Sequence, residues 1–149
     1  MSDELKARAL RLLARREHTR AELARKLAPA AGSREKLETL LDLLEASKRL
    51  SDERYAEARA HGLSRKFGAL RVRRELVAKG VEPETAARFG ADVEKADLER
   101  ARSILTRKYR TPATAPKERA RRARFLQSRG FSADVIRRSL VLAATEEFA

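Results

Sequence analysis

A chain of 149 residues that is 42% hydrophobic but only 5% aromatic, and 38% charged, has material for many modest contacts among Leu, Ala and Val rather than for one thick core. Its net charge of +13, from 35 Lys and Arg against 22 Asp and Glu, points to a polyanionic partner, because cations that neutralise phosphates release counterions. The absence of cysteine excludes disulfides and thiolate chemistry, His18 and His61 alone leave little for a zinc site, and no apolar run reaches signal-peptide or membrane-spanning length, so a soluble, cytoplasmic protein with no membrane contact is expected.

Leu5, Ala9 and Leu12 recur at helical spacing and predict a first helix from about Asp3 to Arg16. Thr19 followed by Glu22 has capping-box spacing, which predicts a second helix to about Leu27 with the glutamate reaching back to the cap; Pro29 and Gly32 interrupt it. Ser33 caps a third helix whose Leu37, Leu40, Leu41 and Leu44 form an apolar seam ending near Lys48. Ser51 and Asp52 open a fourth, with Tyr55, Ala56, Ala60 and Leu63 behind them. The fifth starts after Gly68 and stops at Gly80, and Pro83 suits the first turn of a sixth through Phe89. Leu98, Ala101, Leu105 and Tyr109 mark a seventh, RTPATAP at 110–116 is the clearest loop, and helices at about 116–129 and 133–146 complete an all-α reading without a convincing strand.

The helices repeat. Glu22-Leu23-Ala24-Arg25-Lys26 matches Glu75-Leu76-Val77-Ala78-Lys79 and, more loosely, Phe125-Leu126-Gln127-Ser128-Arg129, while Lys79-Gly80-Val81 mirrors Arg129-Gly130-Phe131. Three tandem three-helix repeats follow, at residues 1–50, 51–97 and 98–149, stacked into an elongated, curved array and expected to be a monomer. The charge is uneven along them: +4, +1 and +8, respectively.

Four stretches in this order, LSDERYA (50–56), RKFGALRVRRELVAKGV (65–81), LTRKYRTP (105–112) and RFLQSRGFSADVI (124–136), make the sequence resemble the RecX family of bacterial recombination regulators over roughly residues 8–142. The resemblance implies three tandem three-helix repeats and a protein that binds the groove of the RecA–DNA filament. It implies inhibition of RecA ATPase, strand exchange and filament growth, within DNA recombination, repair and the SOS response. Arg110, where a small residue is common after the tyrosine, and a short Pro29–Gly32 loop depart from the family pattern without touching a chemical role.

Two basic segments are the candidate contact surfaces. The stretch 65–80 carries six basic residues against one acid. On a helical wheel Leu70, Val72, Leu76, Val77 and Ala69 share the buried arc, Arg73 falls inside it, and Arg71, Arg74, Glu75 and Lys79 lie opposite, where Glu75 can pair with Arg71 or Lys79. In the eighth helix Lys117, Arg121 and Arg124 form a like-charged stripe opposite an expected buried stripe of Ala120, Ala123 and Leu126. Residues 100–129 hold eleven basic residues and one acid, and a merely solvated face would mix signs. Arg71, Arg73, Arg74, Lys79, Lys117, Arg121, Arg122, Arg124 and Arg129 are therefore the expected contacts with the RecA filament and, weakly and without sequence preference, with single- or double-stranded DNA.

No catalytic residue, metal or cofactor is expected: the acids are scattered on charged helical faces, His18 and His61 read as surface histidines, and Gly68, Gly80 and Gly90 stand singly at element boundaries instead of forming a phosphate loop. The alternative reading is a free-standing helix-turn-helix array that binds nucleic acid directly.

Overall fold

The computed structural model describes the backbone of residues 2–147 and the side chains of residues 3–141. Residues 1, 148 and 149, the outermost positions of the expected first and third repeats, lie outside that range. Among the described residues there are nine α-helices and no strand: α1 (Ser2–Arg15), α2 (Arg20–Leu27), α3 (Arg34–Ala46), α4 (Asp52–Leu63), α5 (Ala69–Ala78), α6 (Pro83–Glu94), α7 (Asp97–Lys108), α8 (Pro116–Ser128) and α9 (Ala133–Glu147), with a 3-10 turn at Ala28–Ala30. The all-helical reading of three three-helix repeats is confirmed. Two boundaries move: α7 begins at Asp97, and α6 runs past Phe89 to Glu94. Gly90 is thus an interior helical residue and not a boundary; it faces Arg73 of α5, and burial of Ala86, Gly90 and Val93 against the neighbouring helices overrides the weak propensity of glycine.

Each repeat has its own core. One cluster joins Leu5, Ala9, Leu23, Leu27, Leu41 and Leu44; a second joins Tyr55, Ala60, Val72, Leu76 and Ala86; a third joins Ala101, Leu105, Leu126, Phe131 and Val135. The molecule exposes 9968 Å², about 30% more than the roughly 7,650 Å² of a compact monomer of its mass. That excess is the signature of an elongated array.

The second helix of each repeat sets the register. Leu23, Val72 and Arg122 occupy one buried position, and Leu27, Leu76 and Leu126 the next, so the repeats are offset by 49 and 50 residues. The Glu22–Lys26 match to Glu75–Lys79 is therefore one helical turn out of register, whereas that of Glu75–Lys79 to Phe125–Arg129 is in register.

The joints between repeats are built alike, with second helices meeting end to end. At the first joint Thr19, the N-cap of α2, donates its hydroxyl to the Lys79 carbonyl at the end of α5 (2.5 Å), while Asp52 Oδ1 accepts from the Arg20 backbone N–H (2.7 Å). At the second, the Gly68 and Leu70 N–H groups at the start of α5 donate to the Arg129 and Gly130 carbonyls at the end of α8 (2.8 and 3.0 Å), and Asp97 Oδ2 accepts from the Ala69 N–H (2.8 Å). Negative helix C-termini thus face positive N-termini. Both α5 and α8 end in the same Schellman turn: Val81 N–H to Leu76 O and Phe131 N–H to Leu126 O, with Gly80 at φ +101° and Gly130 at φ +89°. Glycine is required twice over there, since a Cβ at Gly130 would lie 2.6 Å from Arg71 N and one at Gly80 would lie 2.5 Å from Ala21 Cβ. In the third repeat α8 starts at Pro116 and is longer at its N-terminal end than α5 and α2.

Candidate polyanion-binding faces on helices 5 and 8

The two basic segments lie on consecutive second helices, joined end to end. On α5 the buried residues are Ala69, Val72 and Leu76, and Leu70 and Val77 are each 43% exposed. The buried arc is therefore turned from the expected one, which had included Leu70 and Val77: contacts with α4 and α6 select one side, and the ends of α2 and α8 cover the flank. Arg73 and Arg74 are exposed beside Leu70 and Val77, and Arg73 lays its stem along Gly90 of α6. Neither guanidinium has an ion pair among the described residues.

Arg71 and Lys79 are half-buried at the joints. The Arg71 guanidinium stacks 4.5 Å above the Phe67 ring and its Nε donates to Glu75 (3.3 Å), an i,i+4 pair that the sequence anticipates. Lys79 carries the carbonyl that receives the Thr19 hydroxyl. Arg129 is likewise a joint residue: Nη1 donates to the Lys66 carbonyl (3.3 Å), and its guanidinium lies 5.2 Å from the Phe125 ring.

On α8, Lys117, Arg121 and Arg124 are exposed as one stripe, and only Arg121 has an acid near it, Glu118 at 3.7 Å. The opposite face is not the expected one. Ala120 is exposed and Ala123 half-buried, while Arg122 is 7% exposed in the slot that Leu23 and Val72 fill in the other repeats. Its Nη2 donates to the Thr111 carbonyl (2.7 Å), Nε to Glu118 (3.3 Å), and the guanidinium lies 4.2 Å from the Tyr109 ring. Arg122 therefore ties the 109–115 loop to α8 and leaves the exposed set, a correction that charge alone could not have predicted.

Three features were missed in the sequence. Arg25 stands exposed at the α2 position equivalent to Arg74 and Arg124, and the misregistered repeat hid it. Asp52 and Asp97 cap helices of the preceding repeat, and burial pushes both carboxyls above their ordinary values against the backbone bonds that favour the charge. Asp97 has one buried oxygen, Oδ1, with no hydrogen bond; Arg100 lies 3.5 Å away. His18 is 1% exposed and not a surface residue. Its Nδ1 lies 3.0 Å from the Arg16 carbonyl and Nε2 3.0 Å from Lys26 Nζ, a pattern that suits the neutral ring, and burial lowers its pKa, with Arg16 and Lys26 adding to the effect. Nearby, Glu22 does not reach back to Thr19 as a capping box would; it accepts two bonds from Arg16 (2.6 and 3.1 Å), which hold its carboxyl at about 2.

A groove of about 1260 Å³ between α1 and α3 is floored by Leu5, Leu40 and Leu43 and rimmed by acids and bases in balance, so it does not extend the cationic surface. Among the described residues no group of three or more His, Asp or Glu side chains is placed to hold a metal, and no helix is long and apolar enough to cross a membrane.

Family models for the first, second and third three-helix domains of RecX match residues 6–29, 51–88 and 95–140, in chain order, one within each helix triplet, the first of them ending before α3. The chain belongs to the RecX family. RecX relatives include the Regulatory protein RecX of Leptothrix cholodnii, 46% identical over 142 residues that cover 95% of this chain and 90% of the relative. That of Herbaspirillum seropedicae is 44% identical over 143 residues, covering 96% and 93%. The crystal structure of RecX from Lactobacillus salivarius shares the fold, with a TM-score of 0.82 over 97% of both chains at 17% identity.

Proposed function

We propose that this RecX-family protein is a non-enzymatic regulator of homologous recombination that lies along the groove of the RecA–DNA filament and inhibits RecA ATPase, strand exchange and filament growth. The observation that carries the reading is a pair of cationic faces on a stiff array: Arg73 and Arg74 on α5, with no ion pair among the described residues, and Lys117, Arg121 and Arg124 on α8, where a single acid, Glu118, lies near Arg121. The joints support it mechanically, because paired backbone and carboxylate bonds at each hold the repeats at a fixed spacing. A rigid body that grips several points of a helical filament at once resists the change of shape that accompanies nucleotide turnover. The three repeats act as one monomeric unit in the cytoplasm.

The alternative, a sequence-reading helix-turn-helix array, finds little to read with. The chain has no Asn and a single Gln, Gln127, the side chains that pair bidentately with adenine. Direct DNA binding is therefore weak, nonspecific and salt-dependent. Four to six phosphate contacts give a log–log salt slope of roughly −0.9 per contact on duplex and −0.7 on single strands.

The test is a matched pair of charge reversals. Lys117→Glu, Arg121→Glu and Arg124→Glu together turn attraction into repulsion, which costs several kcal/mol at an interface, so half-inhibition of RecA should need at least about tenfold more protein. Arg34→Glu, Lys36→Glu and Arg49→Glu, three exposed residues of the first repeat, change the net charge equally and should inhibit like wild type. Equal inhibition by both triples would remove the α8 stripe from the mechanism.

A further inference from the structure

The two cationic faces differ in chemistry. Around Lys117, Arg121 and Arg124 the exposed surface of α8 offers Ala120, Gln127 and Ser128, and its one exposed apolar side chain larger than methyl is the Pro116 ring that opens the helix. The exposed face of α5 is another kind of surface: Leu70 and Val77, both 43% exposed, stand at i and i+7 with Arg73 and Arg74 between them at i+3 and i+4. Both ends of this face are held, Leu70 by its N–H bond to the Gly130 carbonyl and the far end by the Thr19 bond to Lys79, so it is presented without ordering cost.

A phosphate backbone gains nothing from a leucine and a valine, which would only strip water from its oxygens. An acidic protein segment with aliphatic side chains gains twice, since covering Leu70 and Val77 removes apolar surface from water and lowers the local dielectric around the arginine–carboxylate pairs. Arginine among apolar residues is also the composition of protein-interface centres. Resting on the reading of the filament as partner, we infer that the two faces divide the work: Leu70, Arg73, Arg74 and Val77 of α5 dock an acidic, aliphatic-bearing segment on the protein surface of the filament, while the α8 stripe takes the phosphates.

The experiment compares two probes on the full-length protein: a fluorescent 30-nucleotide oligo-dT read by anisotropy, and RecA filaments on single-stranded DNA read by pelleting. Leu70→Gln with Val77→Gln keeps good helix formers at exposed positions, and circular dichroism checks the fold. The expected result is an affinity for filaments lower by about 30-fold, the share of two half-exposed aliphatic side chains, with oligo-dT affinity and salt slope unchanged. A second variant, Arg73→Glu with Arg74→Glu, should weaken pelleting at least as much. Wild-type pelleting matched by the Gln variant overturns the division of faces alone, as does an equal loss on oligo-dT, which would make α5 a nucleic-acid face. Wild-type protein that fails to pellet with filaments overturns the functional reading and this inference with it.

Discussion

Alanine substitutions at three glycines separate backbone strain from the close approach that the joints require. Gly32 has φ +78° and open space around a would-be Cβ, so Gly32→Ala meets strain alone. Gly68 has an ordinary φ of −85°, but its Cβ would lie 2.7 Å from the Gly130 carbonyl oxygen and from Phe131 Cδ1, so Gly68→Ala meets the next repeat with no left-handed penalty. Gly130, at φ +89° and 2.6 Å from Arg71 N, meets both. Left-handed backbone costs a non-glycine residue about 1–2 kcal/mol, partly offset by about 0.4–1 kcal/mol from a less disordered unfolded chain. Overpacking against backbone costs about 1–3 kcal/mol. Gly32→Ala should therefore lose about 1 kcal/mol, Gly68→Ala about 0.5–2, and Gly130→Ala about 2–4, each net of the unfolded-chain gain and read as shifts in the urea midpoint by circular dichroism at constant m. Gly130→Ala no worse than Gly32→Ala would refute the end-to-end joint.

Lys48 ends α3 in the left-handed region, φ 64°, and is exposed, so Lys48→Gly should stabilise the protein by about 0.5–1 kcal/mol; destabilisation would contradict that turn geometry. Glu22, held at about 2 by Arg16, contributes stability that is present above its ordinary pKa and lost as pH falls towards 2; wild type should exceed Glu22→Gln by about 1–2 kcal/mol at pH 7, discounting for the exposed arginine, and the gap should close between pH 5 and 2. The raised carboxyls of Asp52 and Asp97 act in the opposite sense, favourable at low pH and lost as pH rises through their folded values, so Asp97→Asn should flatten the upper part of the same stability profile. Small-angle scattering should give a monomer with a radius of gyration clearly above the about 15 Å of a compact chain of this length, and a value near that figure would contradict the elongated array.

How far the sequence could be read depended on how local the determining physics was. The Schellman ends were legible because Gly80 and Gly130 each follow a basic residue and precede an apolar one, and the turn is a property of those few residues. The register of the first repeat was not, because Glu22–Lys26 copies the letters of Glu75–Lys79 while the buried positions, Leu23 with Val72 and Leu27 with Leu76, lie a turn apart from that match. The wheel for α5 weighted Leu70 and Val77 by hydrophobicity, yet where α4, α6 and the neighbouring helix ends stand decides which side is covered. Arg122 and His18 failed for the same reason: each is polar by type and buried by placement, satisfied by Thr111, Tyr109 and Glu118 in one case and by Arg16 and Lys26 in the other. The exposed stripe of Lys117, Arg121 and Arg124 was legible because its like charges recur at helical spacing with a single acid, Glu118, beside them.

Whether the protein restrains RecA by lying along the filament is decided by titrating the purified protein into RecA hydrolysing ATP on single-stranded DNA. A rigid array that grips several points of one filament should halve the ATPase rate at fewer than one copy per RecA subunit. An undiminished rate with the protein in excess over RecA would mean that it does not restrain the filament.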